Sequence, residues 1–270
     1  MRKNKNDRLI QAIVCSPKYE YFHINHLGKH NITAHPDKEK AIMQHSKLKQ
    51  TLQQFGCDVV DIAELKGHPN SVFVKDTAVC TPKGYIKPRM GLPSRRREEE
   101  WISKELESLN LPLIASLEAP ATLEGGDVIL AGKVAFVGHS SRTNEEGVRQ
   151  IRRILKDIGY EVRVTDVPAP FLHLGGAMSV VSHNSVIHCK HIFPKDFFKG
   201  FKEINVPCST FIGGNVINLG EGRVIVEASN ITVIEILKKE GFDTQLIDLS
   251  EFIKGTGGPS CLILPVRRED

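Results

Sequence analysis

Apolar positions in this chain come in short alternating runs, and the runs recur. A small polar or Gly-Gly step followed by alternating hydrophobic residues is found at "NSVFVKDTAVC" (from residue 70), "EGGDVILAGKVAFVG" (124), "GGAMSVVSHNSVIHC" (175), "GGNVINLGEGRVIVE" (213) and "GGPSCLILP" (257). The starts are roughly 38 to 55 residues apart, a spacing that marks radial or stacked repeats. Three of the units contain a turn, "LAGK", "SHNS" or "LGEGR", between two such runs and predict hairpins.

Helical patterning follows. In "NEEGVRQIRRILKDIG" the residues Val148, Ile151, Ile154, Leu155 and Ile158 share a stripe, with acids in the first turn and Gly159 as a stop. Residues 98 to 110 and 229 to 241 have the same pattern, and "PLIAS", "EVRVTDV" and "TQLIDL" supply a short extended piece after each helix. The predicted unit is therefore strand, hairpin, strand, helix, strand. Five such units bury their faces only by closing round an axis, so the pattern predicts a single α/β domain of propeller type over residues 1–270, with 1–8 as a flexible tail. A doubly wound sheet is disfavoured, because GxGxxG is missing and hairpins interrupt any βαβ pattern.

Composition narrows the function classes. The 270 residues are 40% hydrophobic and 25% charged, as in ordinary globular proteins. A net charge of +4 is too mild to argue for nucleic acid, since "SRRR" runs straight into "EEE". No apolar run approaches a membrane span and no signal peptide is visible, so a cytoplasmic location is expected. The six Cys are widely spaced and read as unpaired thiols.

In a radial array, residues at one phase of each unit converge on the axis. Asn70 with Asp76, Glu124, His173, Asn215 and Cys261 stand at that phase. A thiol, an imidazole and carboxylates brought together from distant segments are what thiol nucleophilic catalysis needs. Taken singly, Cys261 and His173 would each read more readily as core residues, and Glu124 and Asp127 as turn residues. Shared phase is what raises them to a candidate site. A metal-binding reading rests on His23, His26, His30 and His35, and on His183, His188, Cys189 and His191; neither spacing fits a zinc pattern.

The segments "APATLEGGDVILAGKVAFVGHSSRTNEEGVRQI", "FLHLGG", "GLPSRRREE", "SVFVKDTAV", "NHLGK" and "GGPSC" resemble, in order and over nearly the whole chain, the dimethylarginine dimethylaminohydrolases. These belong to the guanidino-modifying superfamily with the five-bladed β/α propeller, or pentein, fold. The resemblance implies that Cys261 is the nucleophile, His173 the general acid and base, and Glu124 the acid paired with it. It further implies Arg95 and Arg142 as clamps for a substrate carboxylate; Asp76 is placed against the guanidinium, and Asn70 and Phe73 are further candidates for binding the substrate. A small guanidino compound is the expected partner, no metal or cofactor is required, a homodimer is left open, and "NHLGK" matches a lid region.

Three positions depart from that pattern. Asn70 and Lys75 stand where the dimethylaminohydrolases carry acids, Thr256 stands where an acid often precedes the nucleophile, and "PNSVFVKD" resembles the arginine deiminases and dihydrolases instead. Gly175 in turn replaces an acid that deiminases carry two residues after the His. The expectation is a cysteine hydrolase of arginine or a close relative, with methylarginine hydrolysis and dihydrolase activity as alternatives. Read as a strand, residues 70–79 would send Asp76 to the axis and Lys75 away from it.

Overall fold

In the computed structural model of the chain, residues 7–207 and 210–269 are described; most of the expected tail, together with Cys208, lies outside them. Of the tail's last two residues, Asp7 donates its N–H to Glu269 and accepts from Asn218, and Arg8 accepts the Glu269 N–H.

Strand β1 (Leu9–Cys15) is followed by helix α1 (Lys38–Gln54) and strand β2 (Asp58–Ile62). The next blade is β3 (Val79–Thr81), β4 (Gly84–Lys87), α2 (Glu98–Ser108) and β5 (Leu113–Ser116). Then come β6 (Val128–Ala131), β7 (Val134–His139), α3 (Glu145–Asp157) and β8 (Glu161–Asp166). The fourth group is α4 (Leu174–Ala177), β9 (Met178–Ser182), β10 (Ser185–Cys189) and β11 (Lys202–Val206). The chain finishes with β12 (Ile217–Gly220), β13 (Arg223–Glu227), α5 (Ile231–Lys239), β14 (Asp243–Ile247), α6 (Ser250–Ile253) and β15 (Leu264–Arg268).

These strands form five three-stranded sheets, each an antiparallel pair with a third strand added in parallel. The fifth sheet closes the ring: the C-terminal β15 pairs antiparallel with β1, Ala12 opposite Pro265, and β1 pairs parallel with β2. Closure of that kind leaves the last sequence repeat, which had a single strand of its own, fully paired.

Helix α3 forms where its stripe predicts. Asn144 caps it by accepting from the Gly147 N–H, and Ile151, Ile154 and Leu155 are buried against β7 and β8. Each such side chain contributes about 1.5–3 kcal/mol by leaving water. Helix α1 has no counterpart among the predicted helices. Its buried face mixes Ala41, Leu48 and Leu52 with Gln44, His45 and Thr51, so the apolar stripe is thin. In the β9–β11 blade no helix intervenes; residues 190–201 cross as turns.

The expected strand over residues 70–79 is replaced by two 3₁₀ turns, Pro69–Val72 and Val74–Thr77, and β3 begins only at Val79. The apolar residues there are buried by tertiary packing: Phe73 sits edge-on to both Tyr21 and Phe252. Period-2 alternation therefore does not govern where Lys75 and Asp76 point.

Candidate active site

Short 3₁₀ or α turns entering the blades carry the candidate residues to the middle of the ring: Val74–Thr77 holds Asp76, Gly125–Asp127 follows Glu124, Leu174–Ala177 follows His173, and Pro259–Leu262 holds Cys261. A cleft partly open to solvent is lined by Asn70, Phe73, Asp76, Arg95, Glu124, Arg142, His173 and Cys261. Every residue proposed from the sequence as catalytic or substrate-binding thus borders one cleft.

Glu124 is wholly buried, and its partners account for its charge. Oε1 accepts the N–H groups of Gly91 and Leu92 at 3.1 and 2.9 Å, and Oε2 lies 2.8 Å from His173 Nε2. Burial works against the carboxylate, but His173, Arg95 and Arg142 outweigh it and hold Glu124 below the usual carboxylate range. The same logic acts in reverse on the imidazole: burial disfavours its charge, while Asp76, Glu124 and Asp127 raise it to about 9. With Nε2 engaged by Glu124, Nδ1 is left facing Asp76 Oδ1 at 3.7 Å.

Cys261 Sγ accepts from the Gly258 N–H at 3.4 Å and from Asn215 Nδ2 at 3.7 Å. Asn215 is itself fixed, donating to Gly175 O at 2.9 Å and accepting the Ser260 N–H at 2.9 Å. Burial and the Asp76 charge push the Cys261 thiol up to about 11.

The two arginines differ. Arg142 is 7% exposed, lies 3.9 Å from Glu124 Oε1, and its Nη1 has no hydrogen-bond partner. Arg95, expected as a second carboxylate clamp, is turned to other work. Nη1 meets Asp76 Oδ2 at 2.5 Å, Nε meets Glu98 Oε2 at 2.9 Å, and Nη2 meets Phe73 O at 2.9 Å. The turn Pro93–Arg95 folds that side chain inward onto acids of the site. Asn70 Oδ1 and Asp76 Oδ1 are buried with no hydrogen-bond partner, while Asn70 Nδ2 donates to His30 O at 3.0 Å.

Lys75 corrects the strand-based expectation. Because Val74–Thr77 is a 3₁₀ turn, its ammonium turns inward, donates to Gly125 O at 2.6 Å and lines a second cavity with His173 and Cys261. Asp127 is a supporting residue whose sequence context suggests only a turn former. Its carboxylate accepts from Leu174 N, Ser140 Oγ and Thr143 Oγ1, and so sets the turn that carries His173.

Asp76, Glu124 and His173 approach one another within 4.8 Å, and among the described residues neither histidine cluster singled out in the sequence makes such a group. His188 instead pairs with Glu203 at 2.9 Å and stacks on Phe198. None of the described cysteines is in a disulfide, and no helix among the described residues is long and apolar enough to cross a membrane.

The fold is that of the pentein-fold hydrolases that act on C–N bonds of guanidino groups. A family model described as N,N dimethylarginine dimethylhydrolase, eukaryotic, matches residues 20–268, and the chain belongs to that family. The dimethylarginine dimethylaminohydrolase of Pseudomonas aeruginosa is 33% identical over 240 residues, covering 89% of this chain and 91% of the relative. A structure of the P. aeruginosa enzyme, a Cys→Ser mutant complexed with citrulline, superposes with a TM-score of 0.84 at 30% identity and covers 97% and 99% of the two chains. The N-terminal domain of the cyanobacterial arginine dihydrolase ArgZ has the same fold, with a TM-score of 0.83 at 22% identity over 96% and 97% of the chains.

Proposed function

We propose that the chain hydrolyses the guanidino group of arginine or a close relative through a covalent bond to Cys261. The observation that carries this reading is a set of three orphaned buried atoms in one cleft: the acceptors Asn70 Oδ1 and Asp76 Oδ1, and the donor Arg142 Nη1. A ligand with N–H donors at one end and a carboxylate at the other satisfies all three, and an amino acid with a guanidino side chain has that form.

In this mechanism the guanidinium lies against Asp76 and Asn70 with its carbon over Cys261. Its positive charge offsets the effect of Asp76 on the thiol and favours the thiolate, the thiol proton passing to solvent. Sulfur attacks the guanidino carbon, the C–N bond to the departing amine breaks, and that amine takes the proton carried by His173 Nδ1. Glu124 holds the imidazolium in place throughout. Water then attacks the thiouronium carbon and gives one proton to His173; the C–S bond breaks to return the thiolate, and the second proton leaves the carbonyl oxygen to solvent as the neutral ureido product is released. Arg95 serves by fixing Asp76 Oδ2, leaving Oδ1 for the substrate.

Asn70 supports a second reading. It is uncharged where the dimethylaminohydrolases carry an acid, as in the arginine dihydrolases, and a second round of hydrolysis would convert the ureido product to ornithine, ammonia and carbon dioxide. Product analysis separates the cases. Arginine, monomethylarginine, asymmetric dimethylarginine and agmatine are each incubated with one preparation, and citrulline with ammonia, citrulline with methylamines, or ornithine identifies the activity. Turnover of none of the four would reject the reading.

A further inference from the structure

Lys75 borders the nucleophile but takes no part in the steps above. It occurs in the cavity lined by Gly126, Gly175, Asn215 and Ser260, and not in the cleft that holds Asn70, Asp76 and Arg142. Cys261, His173, Leu172 and Thr256 are common to both, so the nucleophile stands between Lys75 and the substrate cleft. Lys75 Nζ donates to the carbonyls of Gly125 and Val128 at 2.6 and 3.4 Å. Among the described residues no carboxylate oxygen comes within 4.0 Å of it. Gly175, in the same cavity, has no side chain with which to neutralise the ammonium.

We propose that Lys75 is a positioning residue for the nucleophile, a resident cation held by two backbone carbonyls that stabilises the Cys261 thiolate from the side away from the substrate. The proposal rests on Cys261 being the nucleophile, and extends that role to both halves of the reaction. During attack, the substrate guanidinium supplies positive charge of its own. In the second half the C–S electrons return to sulfur while a neutral ureido product forms, so the substrate's charge is gone when the thiolate reappears. Lys75 is then the fixed cation beside it. Of the charged groups around Cys261, Asp76 opposes the thiolate and Lys75 favours it, His173 borders both cavities with it, and Asn215 and the Gly258 N–H are neutral donors. Burial lowers the pKa of Lys75 and outweighs the opposing pull of Asp76, Cys80, Cys261 and Asp127, so a thiolate at Cys261 favours the ammonium as the ammonium favours the thiolate.

The test compares Lys75→Met, Lys75→Gln and Lys75→Arg in the full chain. Gln keeps N–H donors for the two carbonyls without the charge, and Arg keeps a charge that does not titrate. The rate of iodoacetamide capture at Cys261, read by peptide mass spectrometry as a function of pH, gives the thiol pKa without any substrate. The proposal expects that pKa to rise by about one unit in Met and Gln, slowing capture about tenfold at pH 8, and to stay at or below wild type in Arg. With substrate, Met and Gln should carry a larger steady-state fraction of covalent adduct. An unchanged thiol pKa in a folded Gln variant would overturn the proposal, and Lys75 would then only satisfy carbonyls. Should Met fail to fold, the Gln and Arg comparison decides alone. Turnover persisting in Cys261→Ser would refute the nucleophile itself, which is a separate result.

Discussion

His173 Nε2 lies 2.8 Å from Glu124 Oε2, inside a site where Glu124 is wholly buried and also accepts two backbone N–H groups. The pair fixes the ring so that Nδ1 faces the cleft. Because the folded pKa of His173 is raised to about 9, the stabilisation it carries is complete below about 6.5, the ordinary histidine value, and is lost as pH climbs through 9. Glu124→Gln should therefore move the alkaline limb of kcat/KM to lower pH and cut kcat by roughly 10²- to 10⁴-fold. It should also cost about 3–5 kcal/mol of stability, because a buried pair loses one partner. The pH–rate profile and a chemical denaturation curve check both parts.

Asp76 is divided between two tasks, with Oδ2 on Arg95 and Oδ1 open. Asp76→Asn keeps the shape and removes the charge. Charge-assisted hydrogen bonds are worth about 1.5–3 kcal/mol, so kcat/KM for arginine should drop roughly 10- to 150-fold. Steady-state kinetics measure this, and a lower melting temperature should accompany it as Arg95 loses an ionic partner.

Gly126 is required by crowding. A Cβ there would stand 2.5 Å from Asp76 Oδ1 and 2.8 Å from His173 Cγ. Gly126→Ala should displace both groups and reduce activity at least about 100-fold, since small misplacements are costly in catalysis. Circular dichroism of the variant should show retained secondary structure.

Arg142 is assigned to the far end of the substrate. Arg142→Ala should raise KM for arginine about 10- to 100-fold, the worth of a charged hydrogen bond, yet leave turnover of agmatine, which has no carboxylate, close to that of the wild type. Equal losses on both substrates would move the residue to a structural role beside Glu124, its neighbour at 3.9 Å.

The repeats are legible in the sequence because their signals are local: a Gly-Gly step, a hairpin turn and an apolar helix stripe within one unit. They predict that the ring closes, but not the pairing that closes it, because β1 meets β15 across the length of the chain and nothing near Leu9 announces that partner. Shared phase along the repeats is enough to bring Asp76, Glu124, His173, Asn215 and Cys261 to one place. Lys75 escapes it because a Val- and Phe-rich stretch has the composition of a strand, whereas its 3₁₀ turns are set by packing of Phe73 on Tyr21 and Phe252. Arg95 is likewise readable only in part. Glu98, three residues on, hints at one partner, but Asp76 comes from another motif.

The mechanism stands on a bond between the guanidino carbon and Cys261. Rapid acid quench during turnover of arginine or a methylated arginine, followed by intact-protein and peptide mass spectrometry, looks for that bond. The expected result is a transient adduct of thiouronium mass confined to the peptide carrying Cys261, and neither adduct nor ureido product in Cys261→Ser. Product formation without any adduct in the wild type, or continued turnover by the folded Ser variant, would contradict the mechanism.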